Sequence, residues 1–370
     1  MNKQLIIILS VISITSLFFA NHQFINEKLQ KNTKTNLKNS SFLINKQTDG
    51  EDPNLNYGQA VYLQYADNNG FNIKIYGRLV IPKNASTKNQ IPVAIIIAGS
   101  GPTTLNGNSL IGGIKTNNYL QLAVELEEQG IATFRYNKRG LIPSYSNQSE
   151  SQMTFDDFAY DAAYIINYLK KDSRFNSFYI MGHSEGSSLG MLAITKYLQK
   201  RQIQGYISLE GAAQNIYDIL LYQLKPQYPA DVYDEIVLYM DELKMGIKPK
   251  QCPLLMAEYD SLCGPAGLFR ESILNYMISW LQFYPTETFA SMNFLKNLVV
   301  QGSTDLQVPL ENGYMLHKAN DDSELKIFDQ MNHILKKAPA NREQNLATYY
   351  DPTIPLFDGL SQQIAEFILN

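Results

Sequence analysis

"FYIMGHSEGSSLGMLA", residues Phe178 to Ala193, decides the fold. A short strand-forming run leads straight into Gly182-His183-Ser184-Glu185-Gly186, and sequence suited to a helix follows at once. The pentapeptide has the form G-x-S-x-G. Alone it is weak, because glycine-rich loops are common; between a strand and a helix it marks the turn that lifts a serine hydroxyl above a sheet edge. Glycines two residues to either side are required because side chains would collide in so tight a turn, and they let Ser184 take a strained backbone position. Ser184 is therefore read as a nucleophile.

Working outward, strands and helices alternate. "IPVAIIIAG" (Ile91–Gly99) is a continuous apolar run, as expected of a strand covered on both faces. "NNYLQLAVELEEQG" reads as a helix ending at Gly130, and "IATFRYN" as the next strand. "TFDDFAYDAAYIINYLKK" is a helix with Thr154 at its start, lysines at its end and Phe155, Phe158, Ala159 and Ala162 on one face. "SSLGMLAITKYLQK" is a helix and "GYISLEG" a strand. This alternation predicts an α/β fold with a mostly parallel, doubly wound sheet. Upstream, "AVYLQYA" and "FNIKIYGRLVIP" flank the turn signal "DNNG" and predict an antiparallel hairpin. From about 212 to 293 the period becomes helical: Val232, Ile236, Met240 and Leu243 share one face, and Ile273, Tyr276, Met277, Trp280 and Leu281 another. We expect an inserted helical cap there, with the second stripe either the cap's own core or a pocket wall. Strands resume at "LKNLVVQGSTD" and "ELKIFDQMNH", and "LSQQIAEFIL" is a closing helix.

A serine hydroxyl needs a base to take its proton. The chain has 4 histidines. His22 lies near the N-terminus, His183 is expected to point away from the elbow, and His317 falls within a helix; His333, on a loop after a strand, is the base by elimination and position. The carboxylate that orients it should follow a strand between the two, which selects Asp305 over Glu311, Asp321, Asp322 and Asp329. The order Ser184, Asp305, His333 is the order that accompanies this elbow. An oxyanion needs preset donors: the backbone N–H of Glu185, at a helix N-terminus, and that of Ser100 in "GSGPTT". That loop lacks a third glycine and contains Pro102, so no nicotinamide or flavin is implied. No H-E-x-x-H or C-x-x-C spacing suggests a metal. No cofactor is expected.

The chain has 370 residues, ample for a full enzyme core. A formal net charge of -4 argues against a nucleic-acid partner. "LIIILSVISITSLFFA", Leu5–Ala20, is an uncharged apolar run behind a lysine, the form of a secretory signal over 1–20; an uncleaved membrane anchor is the alternative. Residues 21–55 are rich in Asn, Lys, Gln and Thr and read as a flexible linker before a catalytic domain over 56–370. Cys252 and Cys263 are equally compatible with a disulfide and with two free thiols.

The blocks "AGSGPTTLNGNS", "GIATFRYNKRG", "IMGHSEGSSLGMLA", "QGSTDLQVP" and "MNHILKKAPANREQNLATY", in this order from about residue 57 onward, resemble those of bacterial alpha/beta-hydrolase proteins of the esterase and serine aminopeptidase (S33-like) group. The resemblance implies Ser184, Asp305 and His333 as a triad and an oxyanion loop at Gly99 to Gly101. Thr104 and Leu105, Asn137, and Ile142 depart from that group's pattern. The expected function is a secreted serine hydrolase cleaving small to medium carboxylic esters through an acyl-enzyme, with a small-molecule substrate and no stable membrane insertion. A peptidase acting on short peptides would use the same triad and needs a charged anchor such as Glu185, Glu210 or Asp241, each as easily a solvated charge. An inactive hydrolase-fold binding protein is the reading from another class, and the intact triad argues against it.

Overall fold

The computed structural model describes residues 56–109, 112–199 and 202–370. The expected signal (1–20) and linker (21–55) lie outside the described residues. Nine strands form one sheet: β1 (Gln59–Ala66), β2 (Asn72–Val80), β3 (Ile91–Ile97), β4 (Ala132–Tyr136), β5 (Tyr145–Ser146), β6 (Phe175–His183), β7 (Gly205–Leu209), β8 (Lys296–Gly302) and β9 (Glu324–Phe328). Their order is β1-β2-β4-β3-β6-β7-β8-β9, with β5 pairing off β2. The hairpin β1–β2 is antiparallel, β2 meets β4 antiparallel, and every pairing from β4 through β3 to β9 is parallel. Asp67 makes the hairpin turn, its Oδ1 accepting the N–H groups of Asn69 and Phe71 at 3.0 Å each.

Strand β3 shows why the sheet is covered twice. Val93, Ile95 and Ile97 point into one hydrophobic cluster and Ala94 and Ile96 into another. The first is capped by helix Phe155–Leu169, whose Phe155, Phe158, Ala159 and Ala162 are all buried as the periodicity required. Helices Asn118–Glu128 and Leu360–Leu369 cover the second. Thr154 and Asp157 cap the helix start reciprocally, Asp157 Oδ2 accepting the Thr154 N–H at 2.8 Å.

Three local features differ from the sequence expectation or add to it. The helix after the elbow starts at Glu185 rather than Ser187 and its α-helical part ends at Leu192. The last turn, Ala193–Tyr197, widens into a π-helix. Thr195 Oγ1 donates to the Met191 carbonyl at 2.9 Å, a back-bond that competes with the regular ladder. Strand β5, two residues long, carried no pattern to read.

Between β7 and β8 the chain forms helices Ile216–Leu224, Ala230–Lys244, Leu274–Leu281 and Pro285–Ala290, the expected cap. Val232, Ile236, Met240 and Leu243 are buried, and Cys252 is disulfide-bonded to Cys263 in the segment between. Trp280 stacks on Phe155 of the main domain, ring centroids 5.3 Å apart and 6° from parallel, and also lines a cleft beside Ser184. The aromatic stripe is thus both core and wall: it fastens the cap to the sheet's covering helix at the edge of the site.

Candidate functional site

Strand β6 ends at His183 and a helix begins at Glu185, leaving Ser184 between them at φ 55, ψ -121. The flanking glycines are obligatory at the atomic level. A Cβ on Gly182 would lie 2.2 Å from the Gly186 carbonyl oxygen, and one on Gly186 would lie 2.2 Å from that of Ile97. The Ser184 N–H donates to Leu209 O at 2.9 Å, tying the turn to β7.

Asp305 follows β8. Its Oδ1 accepts the N–H groups of Gln307 (2.7 Å) and Val308 (3.0 Å), and its Oδ2 meets His333 Nδ1 at 2.7 Å. Burial alone would raise this carboxyl's pKa, but His333 and the hydrogen bonds around it hold it below the ordinary value. Because Oδ2 accepts, His333 Nδ1 carries a hydrogen, and in the neutral imidazole that leaves Nε2 its lone pair. His333 and Ser184 line the same cleft, together with Gly99 and Ser100. His317 is on helix Glu311–Ala319, bonded through Nδ1 to Ser323 Oγ at 3.0 Å and away from the cleft.

The loop at Gly99 to Gly101 is held by its carbonyls. Lys138 Nζ donates to Gly99 O at 2.7 Å and Thr103 Oγ1 to Ser100 O at 2.8 Å. Lys138 also pairs with Glu185 Oε1 at 2.9 Å, both side chains buried. One ammonium thus joins the loop before the site to the first residue of the helix after it. Burial lowers the Lys138 pKa and the Glu185 carboxylate opposes that fall. Ser184 and Ser100 border a second cleft as well, shared with Glu185 and walled by Ile216, Ile219 and Trp280.

Three of the sequence readings require correction. His183 does not point away from the site. Its Nε2 donates to His333 O at 2.6 Å, Nδ1 accepts from the Tyr119 hydroxyl at 2.7 Å, and that hydroxyl accepts from Gly99 N at 3.0 Å. A single relay of hydrogen bonds therefore fixes the Gly99–Gly101 loop, the turn at Ser184 and the loop bearing His333 relative to one another. Glu185 and Glu210 are not solvated charges either, since both are buried. Glu210, after β7 with φ 51, accepts from Gln301 Nε2 at 2.6 Å and from Gly302 N at 3.0 Å through Oε2. Burial and then the charge of Asp305 push its pKa well up. Asp241 is half-buried and accepts the Tyr217 hydroxyl at 2.7 Å. No spacing in the sequence reveals Tyr119 beside His183 or Glu210 beside Asp305; only the sheet order brings them together.

The departures from the family pattern are one linked set. Asn137 Oδ1 accepts the Leu105 N–H at 2.8 Å and its Nδ2 donates to Ile142 O at 2.9 Å. An aspartate would accept the first and have no proton for the second.

The His183 ring gives a prediction of acid sensitivity. Burial foremost, then the neighbouring His333, lower its pKa from 6.5 to about 3. The unfolded chain takes up a proton below 6.5 that the native ring refuses, so the folded-state pKa lies beneath the unfolded one and stability falls with pH. That loss is expected to run at about 1.4 kcal/mol per pH unit through this window. In His183→Gln the slope should be shallower by that amount in urea unfolding measured from about pH 7 to about pH 4. An unaltered slope would contradict the assignment.

Comparison with known proteins adds a family. The model of the family described as "Serine aminopeptidase, S33" matches residues 112–337, which include Ser184, Asp305 and His333. The lysophosphatidylserine lipase ABHD12 of Xenopus tropicalis is 26% identical over 166 residues, 45% of this chain and 42% of that protein. The match spans less than half the length of this curated relative. Among solved structures, Est1E from Butyrivibrio proteoclasticus with ferulic acid bound superposes with a TM-score of 0.53 at 19% identity, covering 84% of this chain and 100% of that one. An esterase from Pyrococcus furiosus gives 0.51 at 12% identity, with 86% and 93% covered. At these identities the structural likeness concerns the fold, a mostly parallel central sheet flanked by helices.

Proposed function

Since this chain belongs to the serine aminopeptidase S33 family and has the alpha/beta-hydrolase fold, we propose that it is a serine hydrolase that cleaves carboxylic esters through an acyl-enzyme. The observation that carries this is the 2.7 Å contact between Asp305 Oδ2 and His333 Nδ1, with His333 and Ser184 lining one cleft. Ser184 Oγ attacks the ester carbonyl carbon while its proton passes to His333 Nε2. The N–H groups of Ser100 and Glu185 hold the resulting oxyanion. The carbon–oxygen bond to the alcohol then breaks, and His333 returns the proton to the departing oxygen. Water, deprotonated by the same nitrogen, frees the acid and restores Ser184. Asp305 keeps the imidazole in the working tautomer, and Gln301 Nε2, which reaches Asp305 Oδ2 at 3.4 Å and Glu210 Oε2 at 2.6 Å, braces it from behind.

Esters are preferred to peptides on electrostatic grounds. An aminopeptidase must neutralise the substrate ammonium, and the acidic side chains near the elbow are committed: Glu185 to Lys138, Glu210 to Gln301 and the Gly302 N–H, and Asp305 to His333. Export belongs to this reading too, supported by the apolar run Leu5–Ala20 and by a Cys252–Cys263 disulfide that suits an oxidising compartment. Kinetics on p-nitrophenyl esters and on aminoacyl p-nitroanilides, each with a Ser184→Ala control, test the proposal. Ester turnover that depends on Ser184 and exceeds anilide turnover is expected. Faster anilide cleavage would replace the ester reading with the peptidase one, and no turnover of either would leave the fold without this activity.

A further inference from the structure

The two clefts that meet at Ser184 differ in chemistry. The first, with a volume of about 520 Å³, is lined by Thr103, Ser109, Asn118, Tyr119, Gln307 and Tyr349 along with His333. The second, about 380 Å³, presents Ala212, Ile216, Ile219, Trp280, Pro285 and Val308 and does not include His333. The base must reach the leaving oxygen to return its proton. The departing alcohol therefore occupies the cleft that His333 lines, and the acyl group enters the apolar cleft behind Glu185.

That placement makes the alcohol's chemistry readable. Among the described residues lining the polar cleft there is no Lys, Arg, Asp or Glu. Leu110 and Ile111, the residues next to Ser109 that are not described, are uncharged as well. Tyr119 and Tyr349 are phenols whose pKa burial pushes up, and His183 is kept neutral. A charged alcohol would leave water here with nothing to replace its hydration. Two groups in the cleft nevertheless ask for a partner. Gln307 Oε1 is buried and accepts no hydrogen bond from the described residues. Gln307 Nε2 donates to the Tyr349 hydroxyl at 2.9 Å, which leaves that hydroxyl's own proton to be donated elsewhere. A lone acceptor beside a lone donor suits a hydroxyl, which gives one proton and takes another.

We propose that the natural substrates join a short apolar acyl group to an uncharged alcohol bearing further hydroxyls, a glycerol or a sugar, one of which bonds to Gln307 and Tyr349. The proposal rests on the serine-hydrolase reading above. It also separates this chain from a lipase acting on a phosphate-bearing head group, because the described residues of the polar cleft offer no cation to such a group.

The test is a series of butyrates followed by acid release: methyl butyrate, glycerol monobutyrate, butyrylcholine and butyryl glycerol phosphate, each with Ser184→Ala as the blank. Glycerol monobutyrate is expected to exceed each of the others in kcat/KM by about tenfold, the equivalent of roughly 1.4 kcal/mol of added transition-state binding. In Tyr349→Phe and Gln307→Leu the ratio of glycerol monobutyrate to methyl butyrate should drop about tenfold, toward unity. If either variant fails to fold, the wild-type series alone decides. Equal rates for the glycerol and methyl esters, or faster turnover of a charged butyrate, would overturn the proposal while Ser184-dependent ester hydrolysis left the serine-hydrolase reading standing. Failure to cleave any butyrate would overturn both.

Discussion

Ser184→Ala is expected to lower kcat/KM for p-nitrophenyl butyrate by at least about 10⁴-fold, the scale seen when a triad nucleophile is removed. The Ser184 side chain makes no capping hydrogen bond to the helix it precedes, and the turn is held instead by its backbone N–H on Leu209 O and by the Gly182 and Gly186 contacts. Removing Oγ takes away the attacking atom and leaves every contact that shapes the turn. The melting temperature should therefore move by no more than about 2 °C. A variant that keeps more than about a hundredth of wild-type activity at unchanged stability would show that another group attacks the carbonyl.

His333→Ala is expected to cost nearly as much, because Ser184 is left with no acceptor for its proton and members of a triad act as a unit. Asp305→Asn should cost about 10⁴-fold. Its amide would donate to Nδ1 in place of the carboxylate, moving the ring hydrogen to Nε2, the nitrogen that must be bare. Neither change should be mimicked at His317, whose ring bonds to Ser323 on a helix outside the cleft. Steady-state kinetics on one ester across the three variants checks this. Equal losses in His317→Ala and His333→Ala would remove the basis for choosing between them.

How far the sequence carries such an account depends on the range of the interaction. Strand β3 is legible as a continuous apolar run, and helix Phe155–Leu169 and the cap helices because each buries a face whose period is written in consecutive residues. The placement of Ser184, Asp305 and His333 after three strand ends is legible because the proposed chemistry demands one of each type in a given order. Residues that act by reaching across the sheet escaped. His183 was set aside, although it hydrogen-bonds to His333 O, 150 residues away in sequence. Glu210 stands 95 residues before Asp305, and only the adjacency of β7 and β8 makes them neighbours. Lys138 illustrates the same point, since Gly99 and Glu185, two of its partners, come from different strand ends. The Cys252–Cys263 pairing stays open in the sequence because the ten residues between them permit either state.

The proposed chemistry stands or falls on a covalent bond at one atom. Incubating the full chain with a fluorophosphonate probe and mapping the adduct by peptide mass spectrometry tests it most directly. The account predicts a single adduct on Ser184, absent in Ser184→Ala and strongly slowed in His333→Ala. An adduct on any other residue, or undiminished labelling of Ser184→Ala, would contradict it.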